Sequence, residues 1–142
     1  MFTALLLAES ERAGKVKRDD AAAKYLLAAD DPAVAGLAKI TLVALATHTA
    51  GLPTWASNTP APVGPNPFVG FNRADLVAGL ETDGPVAPVG RAVVYSNFGV
   101  AVLGEALAAA WRQPYADVLR ERVLQPLGLE HTIVAVPGTK AP

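Results

Sequence analysis

The sequence contains no cysteine among its 142 residues. Disulfide bridges, thiolate nucleophiles and cysteine-ligated metal centres are therefore excluded. Its two histidines, His48 and His131, lie far apart in the chain and lack the spacing of metal ligands, so we expect no metal site. A glycine-rich phosphate-binding loop is also missing, and we expect no cofactor.

The sequence also lacks an excess of either charge, since 12 basic and 13 acidic side chains leave a formal net charge of −1. We therefore expect neither nucleic acid nor an anionic membrane as a partner. No apolar run is long enough to span a bilayer, and prolines interrupt the uncharged segment from Ile40 to Asn72. The apolar N-terminus has no preceding positive charge, so it lacks the pattern of a signal peptide and is predicted to be a helix.

What is present is apolar sequence, at 51% of the chain, which is enough for the core of one domain. Apolar spacing and capping residues predict several helices. These are residues 2–13 before Gly14, a short piece capped by Asp19 or Asp20, residues 41–47 capped by Thr41, residues 72–82 capped by Asn72 with Asp75, residues 98–111, and residues from 115 to about 126. Residues 131–136 are interpreted as a strand and residues 137–142 as a tail.

The triplet Tyr95-Ser96-Asn97 places three hydrogen-bonding side chains directly before an alanine-rich helix. One interpretation is structural: Ser96 or Asn97 caps the helix, and Tyr95 packs with its hydroxyl group satisfied. The other interpretation is that the triplet faces a cleft and binds a substrate. Composition alone favours the first interpretation, whereas the neighbouring segments favour the second.

Four segments that follow one another along the chain carry a family resemblance. They are DDAAAKYLL (19–27), THTAGLP (47–53), YSNFGVAVLGEAL (95–107) and VLQPLGLEHT (123–132). Together they resemble the serine β-lactamase-related family, which comprises class C β-lactamases, D-alanyl-D-alanine carboxypeptidases and esterases. The resemblance implies a β-lactamase/transpeptidase-like α+β fold, of which this chain holds mainly the helical subdomain and few strands.

The resemblance also implies a chemistry for the triplet. In this family the serine of a Ser-x-x-Lys motif forms an acyl-enzyme, activated by its lysine and by the tyrosine of Tyr-x-Asn. Tyr95 is thus implied as the general base and Asn97 as a ligand of the substrate's amide. The implied partner is a small acyl compound, which is a β-lactam, a D-alanyl peptide or an ester. Ser96 falls on the variable middle position and is not expected to be the nucleophile.

The chain departs from the family at the other catalytic motifs. None of Ser10, Ser57 and Ser96 is followed by lysine three positions later, so Ser-x-x-Lys is absent. The Lys-Thr-Gly box is absent too, because residues 138–140 carry its letters in the wrong order. We expect residues 1–142 to be a partial domain without the N-terminal nucleophile segment and the C-terminal sheet segment. Such a chain is expected to be inactive alone, because catalytic groups that act as a unit fail together.

Two rival hypotheses stay open. The chain is either a fragment of such a hydrolase or a non-catalytic helical binding module. In both cases, an exposed sheet-facing side would favour a complementing chain or self-association. A further hypothesis is that the codons before Met1 encode Ser-x-x-Lys and that the complete protein is an extracytoplasmic hydrolase. Family members are commonly periplasmic or secreted, but no export signal is recognisable here, so the location is left open.

Other polar and aromatic residues are given structural interpretations. His48 is expected to be buried or to cap the end of a short helix, and His131 to lie in a surface turn. The pair Asp30-Asp31 is interpreted as a solvated turn. Trp55 and Phe68 lie in a proline-rich connection, where they either line a ligand cleft or anchor the loop.

Overall fold

A computed structural model describes residues 1–27, 37–59 and 71–134. The helices in these ranges are α1 (Phe2–Arg12), α2 (Ala23–Leu26), α3 (Leu42–Ala46), α4 (Arg73–Asp83), α5 (Asn97–Trp111) and α6 (Tyr115–Leu119), and α6 continues into a π-helical turn over Arg120–Leu124. Within the described ranges there is no β-strand, and one isolated antiparallel bridge joins Ala21 to Thr41. No helix there is both long and apolar enough to cross a membrane.

Helix α5 is the centre of the fold and contacts α1, α2, α3, α4 and α6. It is apolar on most of its circumference, and a helix of this kind is stable only when other elements surround it. Val102, Leu103 and Leu107 of α5 are at most 1% exposed and belong to the same core as Leu6 of α1 and Leu80 of α4. The five neighbouring helices therefore share one core that is built around α5.

The side-chain caps predicted for α3, α4 and α5 are confirmed. The Thr41 hydroxyl accepts a hydrogen bond from the backbone of the first turn of α3. Asn72 and Asp75 form a reciprocal capping box at the start of α4. The Ser96 hydroxyl accepts a hydrogen bond from the backbone N–H of Gly99 at 2.7 Å. Each cap satisfies N–H groups that have no partner within the helix.

The prediction that Asp19 or Asp20 caps α2 is wrong, because no side chain caps this helix. The Asp20 carboxylate instead accepts hydrogen bonds from the backbone N–H of Lys17 at 2.9 Å and from the Tyr25 hydroxyl at 2.5 Å. It also pairs with the Lys24 ammonium at 3.1 Å. Because the Asp20 carboxylate is bonded to these three partners, it closes the turn before α2 and holds the side of the helix instead of capping its end.

The strand expected over residues 131–136 is not formed in its described part, which is a turn at His131 followed by irregular chain to Val134. Ile133 is 52% exposed, and the described residues provide no strand with which this segment could pair. A strand without a neighbouring strand leaves its backbone groups without hydrogen-bond partners, so an alternating apolar pattern alone is not sufficient to form a strand. The predictions for Asp30-Asp31, Phe68 and residues 137–142 lie outside the described residues.

Acid is expected to destabilise the chain through Asp20. The hydrogen bond from the Tyr25 hydroxyl is the main cause that holds the pKa of this carboxyl below its ordinary value. Burial acts in the opposite direction, and the Lys17 N–H and the Lys24 ammonium lower the pKa further. Because the folded-state pKa is the lower one, the stabilisation is complete above the ordinary value of about 4 and is lost as the pH falls through the folded value. The free energy of unfolding should therefore fall more steeply as the pH drops below about 4 in the wild type than in Asp20→Asn.

Urea denaturation across this pH range measures the effect. The matched control is Asp19→Asn, which removes an exposed neighbouring carboxylate and should keep the steep wild-type slope. Equal slopes for the wild type and Asp20→Asn would contradict the assignment.

A second stability test concerns Gly51 in the loop after α3, which has a φ of +71° and where an added Cβ would overlap the carbonyl oxygen of Ala87. Gly90 has a similar φ of +76°, but no described heavy atom lies within 4 Å of its Cβ position. We expect Gly51→Ala to lower the free energy of unfolding by about 2–5 kcal/mol, because the backbone cost and the steric overlap add. Gly90→Ala should lower it by about 1–2 kcal/mol, because only the backbone cost applies there. Thermal and urea denaturation would measure both losses, and equal losses would contradict the overlap.

Candidate active site

The two residues predicted to carry the chemistry, Tyr95 and Asn97, lie together at the start of α5. Ser96 is the capping residue between them, and Asn97 is the first residue of the helix. The Tyr95 hydroxyl donates a hydrogen bond to Asn97 Oδ1 at 3.3 Å. Tyr95 is 63% exposed and Asn97 is half-buried. The phenol therefore lies at the surface with its proton directed to the amide oxygen of Asn97.

Ser96, which lies between them, has a structural environment. It is 4% exposed, and its hydroxyl donates to the carbonyl of Pro53 at 2.6 Å while accepting from the N–H of Gly99. Both its proton and a lone pair are thus engaged in bonds that hold the helix start. Of the two capping residues predicted, Ser96 and Asn97, Ser96 is thus the one that caps α5.

Ser10 is likewise engaged in the core. Its side chain is completely buried, and its hydroxyl donates to the carbonyl of Leu6 at 2.7 Å and accepts from Trp111 Nε1 at 2.8 Å. Ser57 is the exposed serine of the three. Neither buried serine has a free hydroxyl that a substrate could reach.

The segment after α3 braces the backbone on both sides of Tyr95. The Thr54 hydroxyl donates to the carbonyl of Tyr95 at 3.1 Å, and the N–H of Phe98 donates to the carbonyl of Thr54 at 3.1 Å. The THTAGLP segment and the threonine that follows it are therefore in direct contact with the YSN triplet. The order of the segments along the chain gave no sign of this contact.

His48 also contacts the YSN triplet, and sequence reasoning missed this contact. The residue was expected to be buried or to cap a helix end, and it does lie half-buried just beyond the end of α3. Its Nδ1 accepts a hydrogen bond from the N–H of Ser96 at 3.2 Å, 48 positions away in the chain. Its ring centroid lies 4.7 Å from that of Tyr95, with 31° between the ring planes.

A cleft of about 560 Å³ opens beside Asn97, between α4 and α5. Its lining is mainly apolar and aromatic, with a few polar groups, which is the usual composition of a small-molecule site. The aromatic lining residues are Trp55, Phe71, Phe98 and Tyr115, and the polar ones include Thr3, Arg73, Asn97 and Glu105. Trp55 therefore lines a cleft, as one of its two interpretations held, whereas Phe68 lies outside the described residues.

The polar groups of this cleft are largely paired with one another. The guanidinium of Arg73 lies 3.5 Å from the carboxylate of Glu105. The hydroxyls of Tyr115 and Thr3 share a hydrogen bond of 2.7 Å. Burial raises the pKa of the Tyr115 phenol, so this second phenol of the site keeps its proton at neutral pH and is unsuited to act as a base.

The ion pairs and cation–ring contacts in the described part of the chain lie away from Tyr95. Lys15 lies 5.0 Å above the Trp111 ring, and Lys24 pairs with Asp20. In the described ranges, no cluster of three or more histidine, aspartate and glutamate side chains could hold a metal ion. A phenol needs a nearby cation before it can accept a proton readily at neutral pH, and none of the ion pairs or cation–ring contacts in the described ranges involves Tyr95.

Comparison with known proteins identifies the family. The family model described as Beta-lactamase matches residues 1–142. A β-lactamase of Pseudomonas fluorescens is 31% identical over 98% of this chain and 36% of its own length. The D-alanyl-D-alanine-carboxypeptidase/endopeptidase AmpH of Escherichia coli (strain K12) is 32% identical over 93% of this chain and 34% of its own length.

Solved structures give the same result. A β-lactamase/D-alanine carboxypeptidase from Yersinia pestis superposes with a TM-score of 0.76 at 26% identity, covering 96% of this chain and 39% of that one. A class C β-lactamase from Rhodobacter sphaeroides has a TM-score of 0.70 at 30% identity, covering 96% of this chain and 35% of that one.

The helical arrangement is thus that of β-lactamase/transpeptidase-fold proteins, and the chain holds mainly the helical subdomain of that fold. The chain belongs to the β-lactamase family. It spans about a third of the length of the curated relatives it matches. The family membership implied by the four sequence segments is confirmed.

Replacing Ser96 by alanine tests the cap at the start of α5. The change leaves the N–H of Gly99 and the carbonyl of Pro53 without their shared partner, so Ser96→Ala should lower the free energy of unfolding by about 1–3 kcal/mol. Ser57→Ala is the matched control at an exposed serine and should cost less than about 0.5 kcal/mol. Urea denaturation followed by tryptophan fluorescence would measure both, and a neutral Ser96→Ala would contradict the structural role.

Proposed function

We propose that this chain supplies the Tyr-x-Asn part of a serine acyl hydrolase, in which Tyr95 is the general base and Asn97 binds the substrate's amide. The observation that carries the proposal is the exposed Tyr95 hydroxyl, bonded to Asn97 Oδ1 at 3.3 Å beside a cleft that Asn97 lines. Membership of the β-lactamase family supports it. The substrate class is a β-lactam, a D-alanyl peptide or a carboxylic ester.

The proposed reaction is acyl transfer in two steps. A serine oxygen attacks the acyl carbonyl and passes its proton to the Tyr95 phenolate, and the amine or alcohol leaves with a proton returned by the phenol. Water then attacks the acyl-serine ester and passes a proton to the Tyr95 phenolate. The serine oxygen leaves and takes that proton back, which releases the carboxylic acid and restores the serine hydroxyl. Asn97 holds the substrate's amide through its own side-chain amide, so that the carbonyl faces the nucleophile.

The nucleophile and its activating cation must come from outside the described residues. Ser10 and Ser96 are buried in structural hydrogen bonds, and Ser57 is not followed by lysine three positions later. The Tyr95 hydroxyl donates a hydrogen bond to Asn97 Oδ1, and none of the ion pairs or cation–ring contacts in the described ranges involves Tyr95. We therefore propose that residues 1–142 do not turn over acyl substrates by themselves.

The same observations bear on partners and domain organisation. We propose that residues 1–142 are part of one catalytic domain, and that a nucleophile segment and a sheet segment complete its site. These segments belong either to the same polypeptide or to a complementing chain. A non-catalytic helical binding module remains the second candidate, favoured by exposed apolar side chains such as Val86 at 65% and Val93 at 75%.

A transplant tests the proposed base directly. Residues 1–142 would replace the matched segment of the Pseudomonas fluorescens β-lactamase, which keeps the remainder of its own sequence. The transplant should hydrolyse a chromogenic β-lactam. Tyr95→Phe removes the oxygen that accepts the serine proton, so it should lower kcat/KM by about 10²–10⁴-fold.

Two controls accompany this experiment. Tyr25→Phe removes a phenol that bonds to Asp20 rather than to Asn97, and it should leave kcat/KM within about twofold. The isolated chain, assayed with the β-lactam and a p-nitrophenyl ester, should show no turnover. An active transplant that tolerates Tyr95→Phe would show that Tyr95 is not the base, and turnover by the isolated chain would show that it is not inactive.

A further inference from the structure

His48 contacts Tyr95 and both of its neighbours in the chain. Its ring lies against the phenol ring, with centroids 4.7 Å apart. Its Nδ1 accepts from the N–H of Ser96 at 3.2 Å, and its carbonyl accepts from the N–H of Val94 at 2.8 Å. A single residue therefore fixes the ring of Tyr95 and the backbone before and after it.

The contact with Ser96 selects one tautomer of the neutral imidazole. An Nδ1 atom that accepts a hydrogen bond carries no proton, so the neutral ring has its proton on Nε2. The N–H of Ser96 precedes the first turn of α5 and has no partner within the helix. Loss of His48 would leave this partly buried N–H without its bond.

The backbone of His48 has a conformation that favours glycine, although the residue is a histidine. Its φ is +58°, in the left-handed region that costs a non-glycine residue about 1–2 kcal/mol. Such strain persists where the surroundings impose it, and it is common at functional sites. Glycine would relieve the strain at this position but would provide neither the ring nor the acceptor nitrogen.

We propose that His48 is a positioning residue that sets the orientation of the Tyr95 phenol, an inference that rests on the proposed role of Tyr95 as general base. The imidazole supports one face of the phenol and its Nδ1 holds the adjacent backbone. The hydroxyl then reaches Asn97 Oδ1 instead of rotating freely in solvent. Proton transfer requires such alignment, and a small displacement of the base slows it.

Two substitutions separate the contributions of His48. His48→Asn keeps an acceptor at the δ1 position and a residue that tolerates positive φ, but it removes the ring. His48→Gly keeps the backbone conformation and removes both the ring and the acceptor. His131→Ala is the matched control, because it removes the other histidine, which is exposed in a surface turn.

The first readout is NMR of the isolated chain and does not depend on activity. In His48→Gly the Ser96 amide should exchange with solvent at least about tenfold faster, and the Tyr95 ring protons should lose the ring-current shift caused by the imidazole. His48→Asn should restore protection of the amide but not the shift. His131→Ala should change neither. Unchanged exchange and unchanged Tyr95 shifts in His48→Gly would overturn the inference.

The second readout is kinetics in the β-lactamase transplant. His48→Gly should lower kcat by about tenfold with KM within about twofold, and His48→Asn should recover part of the loss. A loss in KM alone, or equal losses for Asn and Gly, would also overturn the inference. If the NMR effects occur but Tyr95→Phe retains activity, the proposed function fails. If Tyr95→Phe is inactive but His48→Gly is silent in both readouts, only the positioning role fails.

Discussion

The structure of this site depends on the hydroxyl of Ser96, which joins the loop after α3 to the first turn of α5. The hydroxyl donates to the carbonyl of Pro53 at 2.6 Å and accepts from the N–H of Gly99 at 2.7 Å. It is buried, so water does not compete for either bond. Its two chain neighbours, Tyr95 and Asn97, are held on either side of this fixed point.

Helix α5 provides the rigid support for this arrangement. Phe98 and Gly99 are buried immediately after the partly exposed Asn97, so the chain passes from surface to core within two residues. Gly99 leaves little space for a side chain, because an added Cβ would lie 3.1 Å from the Ser96 oxygen. A site on the first residue of a buried helix moves little, which is what alignment of a catalytic base requires.

Local signals predicted the helices and their caps well. Thr41, Asn72 and Ser96 act within three residues of their own positions, and short-range chemistry of this kind can be read from sequence. The cap assigned to Asp19 or Asp20 was wrong because the Tyr25 hydroxyl and the Lys24 ammonium compete for the Asp20 carboxylate. The strand predicted over residues 131–136 is not formed in its described part, where no strand is available to pair with it.

Long-range contacts could not be predicted in the same way. His48 and Ser96 are 48 positions apart, and Ser10 and Trp111 are 101 positions apart. No periodicity or spacing links such pairs, which come together only when α1, α3 and α5 pack. The candidate residues Tyr95 and Asn97 could be predicted from the sequence because a family resemblance marked them. The long-range contacts that hold them in place could not.

In the proposed reaction, the Tyr95 oxygen takes a proton from a serine that the rest of the catalytic domain supplies. Its most direct test is a crystal structure of the β-lactamase transplant carrying a covalently bound β-lactam acyl group. The Tyr95 hydroxyl oxygen should lie within hydrogen-bond distance, about 2.6–3.2 Å, of the acylated serine oxygen. A phenol turned toward solvent, with another side chain in contact with that oxygen, would contradict it.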